Sequence, residues 1–255
     1  MADRTFASLV ARIQPSAPGC PYATIVQYVR DAAIRTCERT LFWRYQIPVF
    51  NLLPGVFEYV YEKPANTDVH AIFEAIVNKR PLERLTLDKA LELYPQWGEV
   101  YSGEELWSAT PPASTLNTPT YNSVLFNANS TYTLPDSIAE NAGTPQAITQ
   151  VTPDKFLILP SPNTDMPYTM RMFVALKPTR TATGMDSVIF DELEEAITHG
   201  ALQYLLLVPD VTWSDKDLAV YHARQYTYQC AERRARANIG NARGAVRARM
   251  QPFGA

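Results

Sequence analysis

Cysteine is scarce in this chain of 255 residues, which contains only three. Cys20, Cys37 and Cys230 are odd in number and include no CxxC pair. Their spacing therefore predicts neither a disulfide framework nor a zinc site. We expect all three to be reduced thiols.

Histidine and the usual catalytic motifs are equally scarce. The three histidines, His70, His199 and His222, share no motif, and none has a carboxylate or cysteine at ligand spacing. Each is expected to be a surface or capping side chain. The chain has no GxSxG, HExxH, P-loop or GxGxxG motif, and its ten glycines leave little material for a phosphate loop. We predict no catalytic residue, no metal site and no cofactor, with a small hydrolase built from isolated residues as an alternative.

Long apolar runs and a basic excess are also lacking. No run approaches the roughly 18 apolar residues of a membrane span, including at the amino terminus, so we expect no membrane partner and use in a cytosol. The net charge of −3 argues against a protein that coats nucleic acid. Residues 231–255 differ, because they hold six arginines and one acid, which predicts a basic carboxy-terminal arm.

The composition that is present, 46% hydrophobic with 14 tyrosines and 20 prolines, favours a mixed α and β protein. Residues 21–44 are predicted to form an amphipathic helix that begins at Pro21. Its apolar stripe has spacings of three and four: Ile25, Val29, Ala32, Ala33, Cys37 and Leu41.

From residue 45 the apolar period changes to two, which predicts antiparallel strands up to residue 178. Pro48 places the first strand at an edge or a bulge. Turns are predicted at 53–55 and 152–154, with Asn78 and Lys79 at a hairpin tip. Thr86 is predicted to cap a short helix. Residues 98–145 are rich in Pro, Asn, Ser and Thr and are interpreted as a long insertion.

Two more helices are predicted after the strands. Asp186 caps a helix over 187–208, which Pro209 stops, and Ser214 begins a helix over 214–240 with Asp217 at capping-box spacing. The predicted fold class is α+β: a helical bundle from 1–44 and 179–255, with the basic arm at its end, plus an inserted antiparallel β domain over 45–178. The packing follows because each amphipathic helix must bury its stripe.

Three stretches resemble the head-to-tail adaptor, or connector, proteins of tailed bacteriophages, a group related to tail tubular protein A. They are DAAIRTCERTLFWR at 31–44, NKRPLERLTLDKALELYPQW at 78–97, and the run from ALKPTRTATGM to CAERRAR at 175–236. The resemblance implies a virion protein, assembled in the host cytoplasm, that forms a ring of often twelve copies under the portal protein. DNA would pass through the lumen without sequence recognition, and a tail tube, nozzle or tail-fibre protein would bind the far side.

A ring needs heterologous contacts between two different faces of the subunit. We predict that opposite charges on the helices supply them, although ordinary solvated faces are an alternative. The residues of this prediction are Arg30, Arg35, Arg39, Glu192, Glu194 and Glu195.

The two remaining segments give further contact predictions. The arm is predicted to dock on the portal, with a frayed terminus or DNA contact as alternatives. The residues of this prediction are Arg243, Arg247, Arg249, Met250 and Phe253.

The insertion has the aromatic and small-polar mixture of recognition surfaces and is predicted to contact a tail or fibre protein, with a variable loop as the alternative. Its aromatic residues are Tyr101, Trp107, Tyr121, Phe126 and Tyr132. The runner-up function is a binding module that decorates the capsid or anchors a tail fibre.

Overall fold

The computed structural model describes residues 3–94 and 142–239. The chain divides into two units, one from residues 1–43 with 177–255 and the other from residues 44–176. The first unit is mainly helical and the second is mainly strand, so the α+β class is confirmed. Of the residues predicted as a basic arm, 231–239 belong to the last helix, including Arg233, Arg234 and Arg236. Residues 240–255 and the predicted aromatic contact residues lie outside the described residues.

The helical unit contains four of the five described helices: α1 (Val10–Ile13), α2 (Tyr22–Thr40), α4 (Ser187–Leu205) and α5 (Lys216–Ile239). Helices α2, α4 and α5 contact one another in pairs. Their facing side chains are buried because each long helix turns one apolar side inward. These core residues include Ile25, Val29, Ala33, Leu193, Ile197, Ala201, Ala219 and Tyr226.

Residues 3–16 complete this unit in a way that the sequence did not predict. Strand β1 (Asp3–Thr5) pairs antiparallel with β10 (Gly184–Asp186), directly before α4. A 3-10 turn (Phe6–Leu9) and α1 follow, and they bury Phe6, Leu9 and Ile13 completely. The amino-terminal segment is therefore part of the helical unit's core.

Within the described residues, the β unit contains two four-stranded sheets, ordered β2-β9-β4-β5 and β3-β8-β7-β6, with α3 (Leu87–Leu93) beside them. The strands of the first sheet are β2 (Arg44–Leu52), β4 (Thr67–Val77), β5 (Arg80–Pro81) and β9 (Tyr168–Pro178). Those of the second are β3 (Glu58–Val60), β6 (Glu83–Arg84), β7 (Ala147–Gln150) and β8 (Lys155–Leu159). The pairs are antiparallel where their register is described, except that β6 and β7 run parallel.

Both sheets contribute to one core in the β unit. The ring of Phe156 on β8 lies 6.4 Å from that of Phe50 on β2 and 4.7 Å from that of Tyr61. A second cluster of buried side chains extends this core towards α3: Phe57, Leu85, Ala90, Ala147, Leu157 and Leu159.

Several local predictions are confirmed. Strand β2 is at the edge of its sheet, and its register shifts between Ile47 and Phe50, so Pro48 lies at both an edge and a bulge. Asn78 and Lys79 both have positive φ, 47° and 69°, which is the backbone of a two-residue hairpin turn.

Caps and turns confirm further predictions. The Asp186 side chain accepts hydrogen bonds from the backbone N–H groups of Val188 and Ile189, so it caps α4. Thr86 caps α3 through the N–H of Lys89. The turn predicted at 152–154 closes with mutual backbone hydrogen bonds between Thr152 and Lys155.

The predicted helix ends are partly wrong. The first helix ends at Thr40 rather than residue 44, because Leu41 adopts the left-handed conformation, with φ 52°, and the chain then enters β2. The second ends at Leu205, before Pro209 is reached. The last begins at Lys216, where Asp215 rather than Ser214 accepts the capping hydrogen bond, from the N–H of Leu218.

Candidate interaction surfaces

The acidic side chains of α4 form ion pairs with arginines of the same chain. Arg4 of β1 forms ion pairs with Asp191 and Glu194, and Arg12 of α1 binds Glu194 at 3.0 Å. Glu192 accepts from two arginines of α5, Arg233 at 2.8 Å and Arg236 at 3.2 Å. The α4 carboxylates therefore join α4 to the elements around it.

The arginines of α2 also have partners within the chain. Arg30 donates to the backbone carbonyl of Arg180 at 3.1 Å. The guanidinium of Arg35 lies 4.2 Å from the ring centre of Tyr204, a cation–π distance. That of Arg39 lies 5.5 Å from the ring centre of Tyr226.

Among the predicted inter-subunit charges, Glu192 and Glu194 form ion pairs inside the chain. The arginines of α2 make a hydrogen bond or ring contacts, which leave their positive charges in place. Of the six residues in that prediction, the structure gives intrachain partners to Arg30, Arg35, Arg39, Glu192 and Glu194. The sixth, Glu195, is exposed, and its charge acts on His199. Charge attraction between subunits stays a prediction.

The exposed side of α5 carries large apolar side chains. Val220 is 50% exposed, Tyr221 52% and Tyr228 65%. Val220 and Tyr228 line a shallow groove with Ala223, Arg224, Thr227 and Ala231, at spacings of three and four along the helix, and Tyr221 lies beside it, seven residues before Tyr228. We call this the α5 outer face.

A second partly apolar surface lies where α2 meets the end of α4. Tyr204 and Leu207 are exposed there, 42% and 51%, beside Tyr28 and the carboxylate of Asp31. Single exposed apolar residues are common on any protein, whereas groups of them in one groove are typical of contact surfaces. The helical unit therefore presents two different candidate contact surfaces on different helices.

The histidines are placed differently from the prediction. His199 on α4 and His222 on α5 lie side by side, with 2.8 Å between their Nδ1 atoms. His222 is only 7% exposed, so its prediction as a surface or capping side chain is wrong. The sequence hid the pair because 23 residues and a loop separate the two positions.

Cysteine chemistry is suppressed by burial. The three thiols are free and buried, in agreement with the prediction of reduced cysteines. Burial raises the pKa of Cys37 to about 12 and also raises the pKa values of Cys20 and Cys230. Such thiols carry little thiolate at neutral pH and are poor nucleophiles.

Metal-binding clusters and membrane-spanning helices are absent from the part of the chain that the structure describes. Among the residues that the structure describes, no three His, Cys, Asp or Glu side chains converge as metal ligands would. Within the same ranges, no helix is long and apolar enough to cross a bilayer.

Comparison with known proteins identifies the class to which this helix-and-sheet chain belongs, the structural adaptor proteins of phage particles. The family model described as "SU10 adaptor protein" matches residues 4–251, and the chain belongs to that family. This confirms the resemblance to phage head-to-tail adaptors, and the family is a structural class rather than an enzyme class. No curated protein matches the chain.

Proposed function

We propose that the protein forms a closed ring, of about twelve copies, between the portal and the tail. The observation that carries this proposal is the family match, which spans nearly the whole chain and implies oligomerisation and contact with portal and tail components. In this proposal α2, α4 and α5 act as a helical bundle that supplies the contacts between copies.

The α5 outer face supports the proposal because a ring requires one surface of a subunit to bind a different surface of its neighbour. We propose that the α5 outer face of one copy packs on the next copy near Tyr204 and Leu207, the second exposed surface. Apolar contact then supplies most of the affinity, since burying apolar area contributes roughly 25 cal/mol per Å².

The remaining parts of the chain have proposed roles on either side of the ring. The arm, with Arg243, Arg247 and Phe253, docks on the portal, and the insertion over 98–145 contacts a tail or fibre protein. DNA passes through the lumen without sequence recognition, and the net charge of −3 fits passage better than tight binding.

Mixing the purified chain with the portal protein of its phage tests the proposal, with copies counted by native mass spectrometry. We expect a ring of about a dozen copies on the portal, and less assembly by the free chain, because each contact alone is weak against the entropy of association. A single copy on the portal, or no binding to it, contradicts the ring. The same mixture with 241–255 deleted tests the arm, and unchanged attachment argues against it.

A matched pair of variants tests the α5 outer face separately. Val220→Glu places a charge on that face, and Val60→Glu places the same charge at a similarly exposed position on β3. We expect the first to prevent ring closure and the second to leave it intact. If Val220→Glu assembles like the unmodified chain, the ring uses another surface.

A further inference from the structure

The contact between His199 and His222 is unusual because the Nδ1 atom of one imidazole ring faces the Nδ1 atom of the other. The Nδ1 atoms are 2.8 Å apart, the ring centroids are 5.0 Å apart, and the planes are tilted by 36°. Tyr221 lies edge-on to both rings, with centroids at 6.4 Å from His199 and 5.3 Å from His222. The pair thus joins α4 to α5 in a partly buried position.

The geometry restricts the protons that the pair can carry. An imidazole nitrogen donates when protonated and accepts when not, so a hydrogen bond between two Nδ1 atoms needs a proton on only one of them. If both rings are charged, both Nδ1 atoms carry protons, and neither can accept. The doubly protonated pair therefore loses its hydrogen bond and places two positive charges side by side.

Among the described residues, few other charges act on the pair to offset this effect. Glu195, one turn before His199 on α4, favours the charged form of that ring, while Arg12 on α1 disfavours it. Arg12 is itself ion-paired with Glu194. On α5 the neighbouring titratable side chain is Tyr221, which is neutral at physiological pH. One carboxylate, exposed to solvent, cannot neutralise two imidazolium rings.

We infer that the His199–His222 pair is a proton-sensitive latch that holds α5 against α4 and releases when both rings become protonated. Neither the family match nor the proposed ring is needed for this inference, because it follows from the two nitrogens and the burial of His222. Its consequence is a helix contact that weakens with acidity in a protein with no other histidine in its helical unit.

The direction of the effect follows from the two titrations. Burial lowers the pKa of His199 and of His222, and the charge of His199 lowers the pKa of His222 further. In the unfolded chain both rings regain the ordinary histidine pKa of about 6.5. The unfolded chain therefore binds more protons below that pH, and stability falls as the pH drops. The latch contributes fully above pH of about 6.5 and weakens progressively below it.

Hydrogen–deuterium exchange measured by mass spectrometry tests the latch locally. Exchange of α5 peptides is compared at pH 7.5 and 5.5, with EDTA present and with correction for the intrinsic exchange rate at each pH. We expect the corrected protection of residues 216–226 to fall at pH 5.5, by at most about tenfold for each ring, because that pH lies only about one unit below the ordinary histidine pKa.

Two variants make the test specific. The double variant His199→Gln with His222→Leu is expected to show the same corrected protection at both pH values. His70→Gln is the control, because it removes the histidine of the β unit and leaves the pair intact. Its α5 protection is expected to fall as in the unmodified chain. A double variant that still loses protection in acid overturns the latch.

A spectroscopic measurement on the unmodified chain decides the matter if the double variant does not fold. Imidazole resonances in NMR spectra report the tautomer and the pKa of each ring. We expect opposite tautomers at neutral pH and two coupled titrations below about 6.5. Ordinary, independent titrations of His199 and His222 overturn the inference.

Discussion

Gly200 brings α2, α4 and α5 into close contact, and replacing it with alanine should cost stability. A Cβ atom at this position would lie 3.0 Å from Cε2 of Tyr226 and 3.3 Å from Cβ of Ala32. Alanine gains about 1 kcal/mol over glycine in helix propensity. Overpacking a closed site costs about 1–3 kcal/mol. Because Tyr226 is only 5% exposed and cannot swing away, we expect the free energy of unfolding to fall by about 1 kcal/mol.

Urea unfolding, followed by circular dichroism at 222 nm, measures this change. Ala231→Gly, on the exposed side of α5, is the control for propensity, and it should lower the free energy of unfolding by about 1 kcal/mol without any clash. Gly200→Val should be more destabilising than Gly200→Ala because it adds two further carbons. If Gly200→Ala instead raises the free energy of unfolding by the full propensity gain, the three helices do not meet as closely as described.

Two other predictions concern a cap and a thiol. Asp215→Ala should lower the free energy of unfolding by about 1 kcal/mol in the same urea assay, because it removes the side chain that caps α5. Ser214→Ala should lower it much less. If Ser214→Ala is the more destabilising variant, the helix begins at Ser214 as the sequence predicted. At pH 8 the thiol of Cys37 should react with Ellman's reagent only as fast as the chain unfolds, because the side chain is completely buried and burial also raises its pKa. Rapid reaction of all three thiols in the folded protein would contradict this burial.

Much of the fold could be predicted because its elements are long and periodic. The stripe of α2 and the cap of α4 at Asp186 follow from local patterns that tertiary packing reinforces. Pro48 was informative for a similar reason: it lacks an N–H group, so only an edge or a bulge can hold it in a strand.

The ends of helices were predicted less well, for physical reasons that are visible at Leu41. The apolar pattern of α2 continues through Leu41 to Trp43, which is only 8% exposed. Periodicity alone cannot distinguish burial in a helix from burial in the turn that follows it. The left-handed backbone at Leu41 is set by packing, and leucine is not a residue that usually adopts it.

The candidate surfaces depend on contacts between distant residues, which local patterns do not reveal. The ion pairs of Arg4 join positions 187 and 190 residues apart. Glu194, which the sequence predicted to contact a neighbouring subunit, therefore forms an ion pair inside its own chain. The α5 outer face was missed for a related reason: α5 has apolar residues on both sides, so its sequence does not indicate which side faces outward.

The pairing of β2 with β9 has a consequence for how the chain is divided. Arg44, the first residue of the β unit, is directly opposite Ala175, next to the last residue of that unit. Opposed Cα atoms in antiparallel strands are only about 5 Å apart. The β unit is therefore an insertion whose two ends are adjacent, so removing it would leave a gap that a short turn can close.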